Sequence, residues 1–231
     1  MNFSRVLVVV AHPDDEVLGC GGTMSKLVAE GKQLRVVILA EGSSCRFNKD
    51  QVTCDASRAA MEQRRSFAEK AMRVLGVKDF VFHNLPCGRL DQEPIIDISK
   101  IIENHIRDFR PDTVFTHSGD DANSDHRITF NAVITATRPV PGTYVKNVLT
   151  MEILSSSEWR FIDNFKPSFF IDIAGHLEAK VKSFDCYYPT EGQAFPHPRC
   201  DAGLKIQAQM RGMQVGLSQA EAFQLVRSIQ S

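Results

Sequence analysis

The 231-residue sequence lacks several features that would place it in a specialised class of protein. No apolar run reaches the roughly 18 residues of a membrane-spanning helix, so no integral membrane segment is expected. The net charge is −1 and no basic block is present, which argues against a nucleic-acid partner. Glycine (14 residues) and proline (10 residues) are too few for a low-complexity chain.

The six cysteines are scattered, and no two of them form a CxxC pair. This spacing supports neither a zinc finger nor a disulfide framework. The opening residues Met-Asn-Phe-Ser-Arg lack the charged region and long apolar stretch of a signal peptide. We therefore expect free thiols and a cytoplasmic protein, and the sequence also permits a homo-oligomer.

Hydrophobic residues make up 43% of the chain and charged residues 24%, the ordinary balance of a globular protein. Short apolar segments alternate with helical patterns in the first part of the chain. The pattern predicts strands at 5–10, 34–40, 79–82 and 113–116, and helices at 19–30, 55–75 and 94–109. This alternation predicts a Rossmann-like three-layer α/β/α sandwich with a mostly parallel sheet.

Beyond about residue 140 the hydrophobic pattern is looser. It predicts strands at 148–154 and 169–171, and helices at 173–186, 201–215 and 218–228. We expect this part to complete one wall of a cleft, so that residues 1–231 form a single domain.

Polar clusters follow the first and the fourth predicted strands. The first cluster is His12-Pro-Asp-Asp-Glu16, and the second runs from His117 to His126. Ligands of open α/β sheets bind beyond the carboxyl ends of the strands, where both clusters fall. Each cluster combines imidazole with carboxylate, a ligand set that suits zinc in a catalytic site.

The spacing within the first cluster refines this interpretation. His12 and Asp15 are three residues apart across a turn into a helix, so both can face one point. A third ligand from the second cluster would complete a His/Asp/His set, and Asp14 would stand beside the attacking water. Alternatively, the acidic residues 14–16 only cap the helix that follows.

These motifs resemble those of the zinc-dependent N-acetylglucosaminyl deacetylases, the PIG-L/LmbE-like family. The resemblance is carried by four segments that are distributed along nearly the whole chain. They are His12-Pro-Asp-Asp-Glu-Val-Leu-Gly-Cys-Gly-Gly-Thr23, Pro111-Asp-Thr-Val-Phe-Thr-His117, Asn123-Ser-Asp-His-Arg127 and Phe195-Pro-His-Pro-Arg199.

The resemblance implies a role for each matching residue. His12, Asp15 and His126 match the zinc ligands, although another divalent ion would suit them too. Asp14 matches the general base, and Asp125 would orient an imidazole from behind.

One position departs from the common family pattern. Many members carry a histidine where this chain has Asn123. An amide can donate a hydrogen bond to an oxyanion but cannot deliver a proton at neutral pH. His197, held between two prolines, is the candidate that would supply the missing imidazole; alternatively it is an ordinary loop histidine.

Four further residues are candidates for substrate contact. Arg64, Arg65 and Arg89 carry guanidinium groups that suit an anionic or hydroxyl-rich ligand, although most surface arginines have no such role. His117 follows a strand end, where it would line the pocket or bond to backbone.

The expected activity is hydrolysis of the N-acetyl group of an amino sugar or sugar conjugate. Three alternatives stay open: an amidase acting on another N-acyl amine, a Mg²⁺-dependent phosphohydrolase, and a non-catalytic sugar-binding module. The partner expected from the resemblance is a small N-acetylated sugar.

Overall fold

The computed structural model describes residues 3–140, 144–162 and 165–230. A single sheet of seven strands runs through these residues in the order β3-β2-β1-β4-β5-β7-β6. The strands are β1 (Arg5–Val10), β2 (Gln33–Ala40), β3 (Asp79–Leu85), β4 (Thr113–His117), β5 (Asn147–Met151), β6 (Phe169–Asp172) and β7 (Ala220–Ser228). The first five strands are parallel, whereas β7 pairs antiparallel with both β5 and β6.

Helices cover both faces of the sheet. They are α1 (Asp15–Ala29), α2 (Asp55–Leu75), α3 (Ile95–Phe109), α4 (Ser124–Ala136), α5 (Leu177–Asp185), α6 (Tyr188–Glu191) and α7 (Asp201–Met213). None of the helices in the described ranges has both the length and the apolar character needed to cross a bilayer. The three-layer α/β/α sandwich and the mostly parallel sheet are therefore confirmed.

Strand β1 divides the hydrophobic core into two parts because successive side chains of a strand point to opposite faces. Val6, Val8 and Val10 belong to a cluster that includes residues of α1, α2, α5 and α7. Leu7 and Val9 pack instead with residues of α3 and α4. A strand buried on both faces is expected to be continuously apolar, as β1 is.

The sheet order places the carboxyl ends of β1 and β4 side by side. The chain moves outward from β1 through β2 to β3 and then returns to β4 on the other side of β1. Such a reversal opens a crevice at the carboxyl edge between the two central strands. The segments that follow β1 and β4 contain the two polar clusters.

Two parts of the predicted secondary structure are wrong. The predicted helix at 218–228 is strand β7, which lies between β5 and β6. Its Ala, Glu, Gln and Leu residues favour helix weakly, and the ladder bonds with two neighbouring strands override that preference. Helix α1 begins at Asp15 rather than at residue 19, with a kink at Cys20. The hydrophobic pattern also left α4 unpredicted.

Candidate metal centre and active site

The two polar clusters meet at the crevice because each follows a central strand and leads into a helix. His12 lies in the turn between β1 and α1, and Asp15 is the first residue of α1. His126 lies in the first turn of α4. All three side chains are buried, with no more than 8% of each residue exposed.

His12, Asp15 and His126 form a group whose donor atoms all lie within 4.8 Å of one another. Oδ2 of Asp15 is 3.3 Å from Nδ1 of His12 and 3.3 Å from Nε2 of His126. The backbone N–H of His12 also donates a hydrogen bond to Asp15 Oδ2. The structure thus brings together the three residues that the sequence nominates as metal ligands.

His12 is oriented by a carboxylate behind it. Nε2 of His12 lies 2.9 Å from Oδ2 of Asp125, which is fully buried. Because an ionised carboxylate can only accept a hydrogen bond, Nε2 carries a proton, so Nδ1, on the Asp15 side, is the nitrogen that would bind a metal once it gives up its own proton. This arrangement fixes the tautomer of a metal-binding histidine.

The backbone of the loop after β3 in turn holds Asp125. The N–H groups of Gly88 and Leu90 donate to its two carboxylate oxygens, at 2.6 and 3.2 Å. Burial raises the pKa of Asp125, but the hydrogen bond with His12 and these two backbone bonds outweigh burial and leave the pKa below its ordinary value. Asp125 is therefore an ionised hydrogen-bond acceptor.

His126 has a second carboxylate behind it, which sequence reasoning missed. Nδ1 of His126 lies 3.1 Å from Oδ1 of Asp121, itself fully buried. The hydroxyl groups of Ser156 and Ser157 donate to Asp121. Asp121 lies within the second polar cluster, which is recognisable in the sequence. The serines that fix Asp121 are 35 and 36 residues away in sequence, so its role could not be read from the cluster alone.

The carboxylates around His12 and His126 favour a positive charge on these two side chains. Burial lowers the pKa of His12, but hydrogen bonds to Asp125 and Asp15 outweigh burial and raise it to about 10. Burial likewise lowers the pKa of His126, while the charge of Asp15 and the contact with Asp121 raise it to about 9. A buried His/Asp/His group in a field that stabilises a cation fits a divalent transition metal.

The side chain of His117 is fully buried beside His126. Its Nε2 accepts a hydrogen bond from the N–H of Ala11 at 2.8 Å, and its ring stacks on His126 with centroids 3.9 Å apart. Burial, together with the positive charge of His126, lowers the pKa of His117 to about 3. These contacts favour the alternative in which His117 bonds to backbone, while its contact with substrate stays a prediction.

Asp14 occupies an unusual backbone position. Its φ of 109° is one that residues with a side chain rarely adopt, and its side chain is almost completely buried. The carboxylate of Glu16 accepts the N–H of Asp14, and Tyr187 donates to the same Glu16 side chain. Such strained positions persist where surrounding contacts fix them and are concentrated at functional sites.

Two arginines bind the carboxylate of Asp14. Nη1 of Arg199 donates to Oδ2 at 2.8 Å, and Nη2 of Arg64 lies 3.2 Å from the same oxygen. Arg64 also donates to the carbonyl of Pro13 and forms an ion pair with Glu191. Arg64 is only 3% exposed, and these contacts brace the Pro13–Asp14 turn, while its contact with substrate stays a prediction.

Arg199 is the second functional candidate that sequence reasoning missed. Its Nε donates to the Ser155 hydroxyl and the Leu154 carbonyl, and Nη1 also lies 3.3 Å from Glu191. Arg199 closes the Phe195–Arg199 motif, which was the one available signal. The side chain joins the C-terminal wall of the cleft to Asp14.

The remaining predicted residues are described by their local contacts. Asn123 caps α4 by accepting the N–H of Asp125. His197 is half-buried, accepts the backbone N–H of Arg199 and packs edge-on against Trp159, with centroids 5.6 Å apart. Arg89 is half-buried and donates to the Cys87 carbonyl. Arg65 is exposed, pairs with Glu69 and packs over Phe82, away from the cluster.

Comparison with known proteins identifies the family of this chain. A family model described as PIG-L, GlcNAc-PI de-N-acetylase, matches residues 7–137. The chain is 26% identical over 140 residues to the uncharacterized deacetylase YaiS of Escherichia coli, covering 59% of this chain and 69% of that protein. It is 25% identical over 191 residues to diacetylchitobiose deacetylase of Thermococcus kodakarensis, covering 79% and 68%.

Solved structures share the fold over almost the whole chain. N,N'-diacetylchitobiose deacetylase from Pyrococcus horikoshii superposes with a TM-score of 0.78 at 21% identity, covering 98% of this chain and 85% of that one. The 4-carboxy-2-hydroxymuconate hydratase GalB from Pseudomonas putida superposes with a TM-score of 0.74 at 20% identity, covering 99% and 98%. The fold thus accommodates more than one reaction. The match of the family model decides the assignment: as the His12–Glu16 motif predicts, the chain belongs to the PIG-L family of de-N-acetylases and is an N-deacetylase.

Proposed function

We propose that this protein is a zinc-dependent hydrolase that removes the acetyl group from an N-acetylated amino sugar or sugar conjugate. One observation carries the proposal: in a chain of the PIG-L family, His12, Asp15 and His126 converge at the crevice of the sheet with Asp14 beside them in sequence. The diacetylchitobiose deacetylase named among its relatives makes an N-acetylglucosamine conjugate the first substrate to test.

His12, Asp15 and His126 would hold the cation, with Asp125 and Asp121 fixing the two imidazoles from behind. A bound divalent ion supplies Lewis acidity, which polarises the acetamide carbonyl. The buried positions of the three donors keep their geometry fixed before substrate arrives. Zinc fits this mixed nitrogen and oxygen donor set, and another divalent transition metal would also fit.

Asp14 is the proposed general base. Its carboxylate would accept a proton from the attacking water and return that proton to the amine nitrogen as the amide C–N bond breaks. Arg199 and Arg64 hold the carboxylate in one orientation, and the left-handed backbone of Asp14 sets the direction of its side chain. We therefore assign both arginines a positioning role.

Asn123 and His197 are proposed to serve the developing oxyanion and the leaving group. Oδ1 of Asn123 accepts the N–H of Asp125, so its Nδ2 is the end that would donate to an oxyanion. Nδ1 of His197 accepts the N–H of Arg199, which leaves Nε2 to carry a proton toward the cleft. Of the four residues predicted to contact substrate, half-buried Arg89 is the one that we still propose as a substrate contact.

The domain organisation and location of the protein are part of the same proposal. A single domain over residues 1–231 is supported by β7, which comes from the end of the chain and pairs between β5 and β6 of the common sheet. A cytoplasmic location is supported by six free cysteines.

Release of acetate tests the proposed activity. The purified protein is incubated with N-acetylglucosamine, diacetylchitobiose and nucleotide-linked N-acetylglucosamine, before and after treatment with a chelator. We expect acetate from at least one of these compounds, loss of activity with chelator and recovery on addition of zinc. Activity on analogues with a longer N-acyl group, together with none on these three compounds, would favour an amidase, and retention of full activity without metal would refute the proposal.

A further inference from the structure

Two cysteine thiols lie in contact beside the proposed active site. Sγ of Cys87 is 3.1 Å from Sγ of Cys45. Cys45 is exposed and stands in a single 3₁₀ turn, Ser44–Arg46, after β2, whereas Cys87 is buried in the loop after β3. Neither thiol has a role in the proposed hydrolysis.

Both cysteine segments are anchored to the same buried carboxylate. Glu41 accepts the N–H groups of Ser43 and Ser44 on one side and the N–H of Cys87 on the other. Gly88 packs so closely on Cys45 that a Cβ at position 88 would lie 2.9 Å from the Cys45 Cβ. The two segments are thus held together without a covalent bond.

We propose that Cys45 and Cys87 form a reversible disulfide when the protein meets hydrogen peroxide, and that this bond weakens metal binding at the neighbouring site. The exposed Cys45 sulfur attacks the peroxide, whose O–O bond breaks to give a sulfenic acid and water. The Cys87 sulfur then attacks the Cys45 sulfur, loses its proton and displaces a second water. Two thiols and one peroxide become one disulfide and two waters.

Gly88, the residue after Cys87, connects the cysteine pair to the proposed metal site. Gly88 donates its N–H to Asp125, and Asp125 accepts from Nε2 of His12. Donor atoms of Cys87, Asp125 and His12 all lie within 4.8 Å of one another. A disulfide has an S–S bond of about 2.05 Å, so the sulfurs must approach by about 1 Å. Drawing Cys87 toward Cys45 displaces the adjoining Gly88 and loosens its hydrogen bond to Asp125.

The test uses the full-length, zinc-loaded protein treated with hydrogen peroxide, then alkylated, digested and mapped by mass spectrometry. Zinc affinity is measured in parallel by competition with a chelating dye. We expect a Cys45–Cys87 crosslink and zinc affinity about tenfold weaker, the lower end of the range for a disturbed outer-shell partner. A thiol reductant should reverse both changes.

Cys45→Ser is expected to keep the zinc affinity of the untreated protein and to be insensitive to peroxide. Cys186→Ser, which removes a half-buried thiol that donates to the Lys182 carbonyl, should still form the crosslink. Oxidation of Cys45 without linkage to Cys87, or a crosslink that leaves zinc affinity unchanged, overturns the proposal. The effect on zinc rests on the proposed metal site. If the untreated protein binds no zinc, the proposed function has failed, and the crosslink map alone then decides whether the disulfide is correct.

Discussion

Asp125 accepts a hydrogen bond from Nε2 of His12 at 2.9 Å, and the same carboxylate receives two backbone N–H groups from the loop after β3. His12, the proposed metal ligand that follows β1, is therefore held by Asp125 of α4. Asp125 is in turn fixed by the loop after β3. The proposed metal site depends on contacts among all three.

The substitution Asp125→Asn tests this dependence. The amide keeps the shape of the side chain but removes the charge that fixes the His12 tautomer, so zinc affinity should fall about 10- to 100-fold. Competition with a chelating dye measures the change. Asp120→Asn is the matched control because Asp120 is exposed in the loop that precedes α4. Equal zinc affinity in Asp125→Asn and the unmodified protein would contradict the assigned role.

Asp14→Asn separates catalysis from metal binding. Loss of a general base lowers turnover by about 10²- to 10⁴-fold, while the three proposed metal ligands remain. Acetate release and zinc affinity should be measured on the same preparation. Asp15→Asn is the comparison, since it removes a proposed ligand and should lower both quantities. Substantial turnover in Asp14→Asn would show that another group accepts the proton.

Arg199→Lys tests whether the C-terminal wall positions Asp14. Lysine keeps the charge but cannot contact Asp14 and Ser155 at once, as the guanidinium does. Hydrogen bonds to charged groups contribute about 1.5–3 kcal/mol, so kcat should fall about 10- to 100-fold with zinc affinity unchanged. Arg138→Lys, on an exposed arginine, is the control. An effect on KM alone would indicate substrate contact rather than positioning.

The sequence predicted the centre of the molecule better than its periphery. Strand β1 and the His12–Glu16 motif are readable because a doubly buried strand is continuously apolar and the motif is local. The residue pattern predicts a helix where the structure has strand β7, because these residues have no strong strand preference. Pairing with β5 and β6 decides the conformation.

The same distinction applies to the candidate site. His12, Asp15 and His126 stand in two short motifs, and the topology of a parallel sheet brings those motifs together. The contact between Arg199 and Asp14 joins residues 185 positions apart. Which residue Arg199 contacts depends on how the C-terminal wall packs, and no local pattern encodes that packing. Burial likewise depends on long-range packing, so no local pattern predicts that Arg64 and His117 are buried.

Gly203→Ala should disturb the active site through packing alone. A Cβ at this position in α7 would overlap the carbonyl oxygen of Pro198, next to Arg199. Overpacking of this kind costs about 1–3 kcal/mol, so the midpoint of urea unfolding should fall together with turnover. Gly175→Ala, where a Cβ meets open space, is the control and should change neither. A stable Gly203→Ala protein with full turnover would show that the loop yields without consequence.

The pair His83 and His105 should make stability depend on pH. Their Nε2 atoms are 2.7 Å apart, and burial, with the charges of His83 and Arg35, lowers the pKa of His105 to about 4. The unfolded chain, in which the pKa is near 6.5, therefore binds more protons than the folded chain between pH 6.5 and 4. His105 therefore makes its full contribution to the free energy of unfolding above pH 6.5, and this contribution is lost as the pH falls from 6.5 to 4. Urea unfolding at pH 7 and pH 4.5 should show a smaller loss of stability for His105→Gln than for the unmodified protein. The same substitution at His176, which pairs with the Ser25 hydroxyl, is the control, and an identical loss in His105→Gln and the unmodified protein would refute the prediction.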